Sequence, residues 1–97
     1  MIIWNEPIEF QWDKGNSHKN EKHKVANTEI EEVFNDRDKA MSPDHKHSKS
    51  EQRYILLGKT KDKRLLYIVF TVRKGMVRVI SARDINKKEV YLYEKAA

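Results

Sequence analysis

The chain has 97 residues, 36% of them charged and 38% hydrophobic, with 20 Lys+Arg against 15 Asp+Glu and a net charge of +5. This length supports one domain, residues 1–97, around one modest core. The absence of cysteine excludes disulfides and thiolate chemistry. The cationic surplus favours partners with phosphate or carboxylate surfaces. Met1-Ile2-Ile3-Trp4 runs straight into Asn5-Glu6-Pro7, with no basic n-region and no long apolar run. Neither a secretory signal nor a membrane span is therefore expected, and the cytoplasm is the default compartment.

Ile8-Glu9-Phe10-Gln11-Trp12 alternates apolar and polar residues, the pattern of a half-buried strand. Asp13 can cap the next segment. Lys14 to Lys24 is polar throughout and reads as an exposed helix or turn, weakened by Gly15. Thr28-Glu29-Ile30-Glu31 has capping-box spacing, and Ile30, Val33 and Phe34 make a helical stripe ending near Asn35. Arg37 to Gln52, with Pro43, serines, histidines and many charges, predicts a long mobile loop. Its His45 and His47, even with Asp44, lack the usual companions of a zinc site, so neither metal nor cofactor is expected. Three strands come next: Arg53 to Gly58, Leu65 to Val72 and Val77 to Arg83. The middle one is apolar on both faces and should be central. Asn86 and Glu89 give a second capping signal, for a C-terminal helix with Val90 and Tyr93 on one face. The order describes an α+β domain.

Arg78-Val79-Ile80-Ser81-Ala82-Arg83 carries a guanidinium at each end of an apolar strand pattern. Covering an unpaired arginine is costly. Each one must therefore reach water, pair with a carboxylate, or await an anionic partner. With a hairpin tip at Lys74-Gly75, Val77 faces Val72, Arg78 faces Thr71 and Ile80 faces Val69. Simple alternation then puts Tyr67, Arg73, Arg78 and Ala82 on one face, with Phe70, Val79, Ser81 and Arg83 on the other. The first face is either a floor for a phosphate chain or an ordinary solvated sheet face. Arg83 stands within reach of Glu89 or Asp84, where an ion pair would orient the final helix. Trp4 and Trp12 flank the first strand as core or interface packing residues, or as platforms for base stacking, and an exposed apolar patch around them would suit a protein partner.

Phe10-Gln11-Trp12-Asp13-Lys14-Gly15-Asn16, Lys19-Asn20, Lys22-His23 and Val25 resemble the N-terminal signature of the BrnT toxin family. The resemblance continues through Glu32-Val33-Phe34, Pro43-Asp44, Ser50-Glu51-Gln52-Arg53-Tyr54 and Gly58-Lys59-Thr60. It closes with Arg64, Phe70-Thr71-Val72-Arg73, the Arg78 to Arg83 strand, and Glu89 ahead of Tyr93. The chain departs from the family where Lys24 stands at a position commonly glycine. The resemblance implies a fold like the RelE ribonucleases: a small antiparallel sheet with two N-terminal helices and a C-terminal helix. It further implies a type II toxin that arrests translation by cutting RNA. The implied partner is a cognate antitoxin, which binds operator DNA, blocks the toxin and forms a hetero-oligomer with it.

Metal-free RNA cleavage needs a base for the 2′-hydroxyl, a cation for the added negative charge and an acid for the leaving oxygen. Arginine suits the cation role because its planar fork bonds two phosphate oxygens at once. Arg78 and Arg53 are the first candidates, and Arg73 and Arg83 extend the set. An unperturbed imidazole changes charge near neutrality, so a histidine such as His23 can serve as base or acid. Tyr93 or Tyr67 can orient the attacking hydroxyl, and Glu89 can act as base if burial raises its pKa. The resemblance marks Lys22, His23, Glu51, Arg53 and the Arg78 to Arg83 strand. The candidate catalytic set is thus His23, Arg53, Arg78, Glu89 and Tyr93, with Lys22, Arg64, Tyr67, Arg73 and Arg83 binding RNA. A non-catalytic nucleic-acid module, or an inactive toxin homologue, is the alternative; a domain binding an acidic protein helix is a weaker one.

Overall fold

In the computed structural model of the chain, residues 8–16, 22–47 and 50–96 are described. Helix α1 (Asn27–Phe34) is followed by strand β1 (Ala40–Pro43), a 3-10 turn (His45–His47), and strands β2 (Arg53–Lys59), β3 (Leu65–Arg73) and β4 (Met76–Asp84). Helix α2 (Lys87–Ala96) comes last. The strands form one antiparallel sheet in the order β1-β2-β3-β4, so the fold is α+β. β3 lies inside the sheet, as its two apolar faces predict.

Three elements differ from the sequence reading. β1 lies inside the expected loop, pairing Ala40 with Leu57 and Pro43 with Tyr54. A proline suits an edge strand, where its missing N–H faces away from the ladder. The N-terminal strand reduces, among the described residues, to one parallel bridge between Phe10 and Val77. There the Gln11 N–H donates to the Val77 carbonyl and the Val77 N–H to the Glu9 carbonyl, each at 2.8 Å. Helix α1 begins earlier than the Thr28 spacing suggests. Its N-cap is Ala26, whose N–H donates to the Glu29 carboxylate at 3.0 Å. Residues 14–16 are helical, and the rest of the expected first helix through residue 21 lies outside the described residues, as do Trp4, Lys19 and Asn20.

The core fills one face of the sheet. Ile30, Val33 and Phe34 of α1 are buried against Leu56, Leu66, Ile68, Phe70, Val77, Val79 and Ala82. Phe34 meets Phe70 and Phe10 edge to face, with centroids 5.0 and 5.1 Å away. Gly58 permits the close approach of α1 to β2, since a Cβ there would lie 2.6 Å from Val33 Cγ1. Trp12 stacks on Phe10, and its Nε1–H donates to Glu31 at 2.8 Å. Trp12 is thereby packed, partly buried, against the edge of the core.

The hairpin between β3 and β4 turns at Lys74 and Gly75, both at positive φ (52° and 78°), as the primed hairpin turns require. Val72 pairs with Val77 and Thr71 with Arg78, as the sequence register has it. A β-bulge then intervenes. Phe70 pairs with Val79, but Val69 pairs with Ser81, which leaves Ile80 as the extra residue. The bulge shifts the alternation of everything beyond it. Ala82 enters the core at 1% exposure, and Arg83 pairs with Tyr67 on the face it shares with Arg78. The expected division of the two arginines between faces is corrected: both stand on the face opposite the core. Helix α2 contacts β1 and β2, and its Tyr93 is buried, as is Leu57. It thereby covers the β1–β2 side of the arginine face.

Candidate functional site

Two cross-strand rows organise the arginine face. Arg53, Thr71 and Arg78 stand side by side on β2, β3 and β4. Four residues along β3, about 13 Å away at 3.3 Å per residue, Leu57, Tyr67 and Arg83 form a second row.

At the first row and just beside it, Arg78 and Arg73 are each gripped by a carboxylate from a distant part of the chain. Arg78 donates to Asp13 at 2.7 and 3.3 Å and to Gln11 Oε1 at 3.3 Å. Arg73 donates to both oxygens of Glu51, at 3.0 and 2.8 Å. Bidentate pairs of this kind are strong and geometrically specific. Asp13 is placed by its own turn: its N–H donates to Asn16 Oδ1 at 2.8 Å, and the Asn16 N–H donates to Asp13 Oδ1 at 3.2 Å. Asp13 thus caps residues 14–16, as the sequence suggests, and Asn16 is buried beneath it. Glu51 is steadied through Thr71, whose buried hydroxyl donates to the neighbouring Gln52 carbonyl at 2.7 Å. The Arg73 guanidinium holds the Glu51 carboxyl below the usual carboxylate range, with Arg53 and Arg78 adding to the effect. Arg78 does the same to Asp13. Arg53, Arg73, Arg78 and Glu51 line one cavity of about 180 Å³, with Asn16 and Ile80 at its sides.

The second row has a different character. Arg83 donates to both oxygens of Glu89, at 2.9 and 2.8 Å, and its guanidinium carbon lies 4.0 Å from the centre of the Tyr67 ring. Glu89 also accepts the Asn86 N–H at 3.0 Å, while Asn86 Oδ1 accepts the Glu89 N–H at 2.9 Å. This is the expected capping box, and Arg83 ties it to the sheet. Arg83 holds the Glu89 carboxyl below its ordinary value. The condition for Glu89 as a base, a pKa raised by burial, is not met, because the ion pair outweighs desolvation. Burial pushes the Tyr67 phenol up. Tyr93 donates to Asp36 Oδ2 at 2.7 Å, and burial with that bond pushes its phenol up as well. Tyr93 therefore anchors α2 to the segment after α1.

Arg64 closes the far end of the sheet. It donates to Asp84 at 2.7 and 3.2 Å, to Glu29 at 3.1 and 3.2 Å, and to the carbonyls of Lys24 and His23 at 2.9 and 3.3 Å. Its neighbours Lys22 and His23 are exposed. Asp84 lies six residues beyond Arg78 on β4, on the order of 20 Å along the strand. His23, Lys22 and Arg64 are thus not brought to the cavity that gathers Arg53, Arg73 and Arg78. Lys24, at the family's glycine position, has a φ of 55°, the left-handed region that favours glycine.

The model of the family described as "Ribonuclease toxin, BrnT, of type II toxin-antitoxin system" matches residues 12–89, about four fifths of the chain. The chain belongs to the BrnT toxin family. A search of curated proteins gives no match. The matched span starts at Trp12, next to the Asp13 that holds Arg78, and ends at Glu89, which holds Arg83. Membership supports the sequence-derived reading of a type II ribonuclease toxin. Glu51 is the site residue missing from the candidate catalytic and binding sets, although the resemblance marks it. Asp13, seen in the sequence only as a helix cap, is the second. No helix among the described residues is long and apolar enough to cross a membrane.

Proposed function

We propose that this single-domain chain, in a RelE-like arrangement, is a metal-independent endoribonuclease of the cytoplasm that arrests translation by cutting RNA. The observation that supports this reading is the cavity shared by Arg53, Arg73, Arg78 and Glu51, on a chain of a ribonuclease-toxin family. In this reaction Arg53 and Arg78 hold the non-bridging oxygens of a phosphodiester and stabilise the negative charge that builds on them. The cation role falls to guanidinium groups, so the chemistry requires no metal. Glu51, kept ionised beside Arg73, takes the proton of the 2′-hydroxyl. As the phosphate draws Arg73 away, the proton affinity of Glu51 rises. The 2′-oxygen–phosphorus bond forms while the bond to the 5′-oxygen breaks. That oxygen takes a proton from water, and the product carries a 2′,3′-cyclic phosphate. Arg83, Glu89 and Tyr93 support the face by holding α2, and Lys22 extends the cationic surface at its far end.

The toxin reading brings a cognate antitoxin partner that joins the chain in a hetero-oligomer and alone contacts operator DNA. A second reading, a non-catalytic nucleic-acid module, is favoured by one observation: Arg73, Arg78 and Arg83 each already have a carboxylate partner. The two separate cleanly. The active toxin cuts RNA in EDTA and arrests growth on expression, with relief by the neighbouring gene product. Glu51→Gln then lowers kcat on the order of a hundred- to ten-thousandfold. RNA binding with a steep salt slope and no cutting supports the second reading. Harmless expression with neither activity overturns both.

A further inference from the structure

A second cleft adjoins the arginine cavity. Its volume is about 280 Å³, and Asp44, Arg53, Tyr67, Val69, Ile80 and Ser81 line it. Arg53 and Ile80 border both spaces, so the cleft continues from the place where a phosphate would sit. Its floor is unlike the rest of this cationic face. Val69 and Ile80 are apolar yet only half-buried, and they lie between the two arginine rows. The β-bulge builds that floor, because both Ile80 and the adjacent Ser81 stay partly exposed while Val79 and Ala82 enter the core. One wall is the Tyr67 ring, whose plane is fixed by the Arg83 guanidinium 4.0 Å from its centre.

We propose that this cleft is a nucleobase subsite, taking the base of one nucleotide that flanks the phosphate held by Arg53 and Arg78. The inference rests on the ribonuclease reading for its substrate class. An apolar floor with an oriented aromatic wall, next to a cationic cavity, matches how single-stranded nucleic acids are gripped: backbone by cations, bases by stacking. A phosphate would gain nothing from Val69 and Ile80. The subsite thus fixes which linkage faces Glu51, and it makes Tyr67 and Ile80 determinants of where the strand is cut.

The test uses short oligonucleotides with a single cleavable linkage, as the parent and in two abasic forms that lack the base on its 5′ or its 3′ side. One abasic form is expected to lose about tenfold or more in kcat/KM, the scale of one base–aromatic stack, and the other to change less than threefold. Ile80→Trp, which fills the cleft, should cost the parent a similar factor while barely affecting the abasic substrate that already lacks that base. Ile80→Ala, a milder change at a half-exposed position, should weaken the parent alone by several-fold. The same oligonucleotides with a 2′-deoxyribose at the cleavable linkage are titrated for binding. A protein that cuts nothing therefore still reports on the cleft. Equal behaviour of all three oligonucleotides refutes the subsite. If the parent is nevertheless cut, the ribonuclease reading survives that result. Loss of cutting with base-dependent binding retained refutes catalysis and keeps the subsite.

Discussion

The two ends of β4 use the same chemical pair, a guanidinium on a carboxylate, for different ends. At Asp84 the Arg64 fork is surrounded by two carboxylates and two backbone carbonyls that join α1, the loop before it and the end of the sheet. No edge of that fork is left to offer a ligand. At Arg78 the fork meets Asp13 and Gln11, and the side chain also borders a cavity shared with other arginines. An ion pair by itself therefore says little about function. A clamp differs from a site in how completely the donors are used, and in whether the remaining surface faces a space of useful size.

Removing one arginine from each end should separate the two roles most clearly. Arg78→Ala is expected to lower RNA cleavage on the order of a hundred- to a thousandfold while shifting Tm by only a few degrees. A collapse of the fold in melting experiments would erase the distinction. Arg64→Ala is expected to do the reverse. Losing its charged hydrogen bonds should cost about 2–3 kcal/mol. For a domain of this size that is a fall of about 10–20 °C in Tm, with cleavage by the folded fraction changed only a few-fold.

Acid titration acts on both ends at once. Asp13, Glu51, Asp84 and Glu89 all have folded pKa values lowered by arginine partners. The folded chain therefore binds fewer protons than the unfolded one at mildly acid pH. Their contribution is complete above the ordinary carboxylate values, about 4, and disappears as pH falls through the lowered ones. Thermal melts should be flat near neutrality and fall steeply below about pH 4. The acid slope should shrink more in Glu89→Gln than in Asp13→Asn, because Glu89 is 14% exposed and Asp13 is 51% exposed, where solvent screens the pair. The smallest expected effect is Lys24→Gly. Relieving a left-handed lysine should stabilise the chain by about 1 kcal/mol, read as a modest rise in Tm.

Much of this architecture is legible in the residues. Alternation and turn chemistry locate β2, β3, β4 and the hairpin, and Asn86 with Glu89 locates the start of α2. Other elements depend on tertiary context. β1 is four residues long, mostly exposed and ends in proline, so only its pairing with β2 makes it a strand. The N-terminal segment has strand periodicity but bonds to the sheet at a single point among the described residues. Ile80, Ser81 and Ala82 carry no hydropathy signal that tells which one is the extra residue. The site suffers from the same limit. Asp13 and Arg78 are 65 positions apart, and Glu51 and Arg73 are 22 apart, so no local spacing links them. Glu89 and Arg83, six apart, are the pair that proximity in sequence does reveal.

The bulge makes the length of β4 matter as much as its composition. Arg78 and Arg83 are an odd number of residues apart, so an unbroken ladder would turn them to opposite sides. The strand therefore carries one residue to spare, and it responds unequally to losing or gaining length. Deleting Ile80 would close the ladder into regular alternation, with Arg78, Ser81 and Arg83 still outward and Val79 and Ala82 still inward. Both ion pairs would survive, and the apolar floor between the arginine rows would keep Val69 but lose Ile80. Inserting a residue beyond the bulge has no such slack to draw on. It would swing Arg83 toward the core and break its tie to Glu89 and α2, unless a second bulge formed. Across this segment the sheet tolerates shortening by one residue far better than lengthening by one.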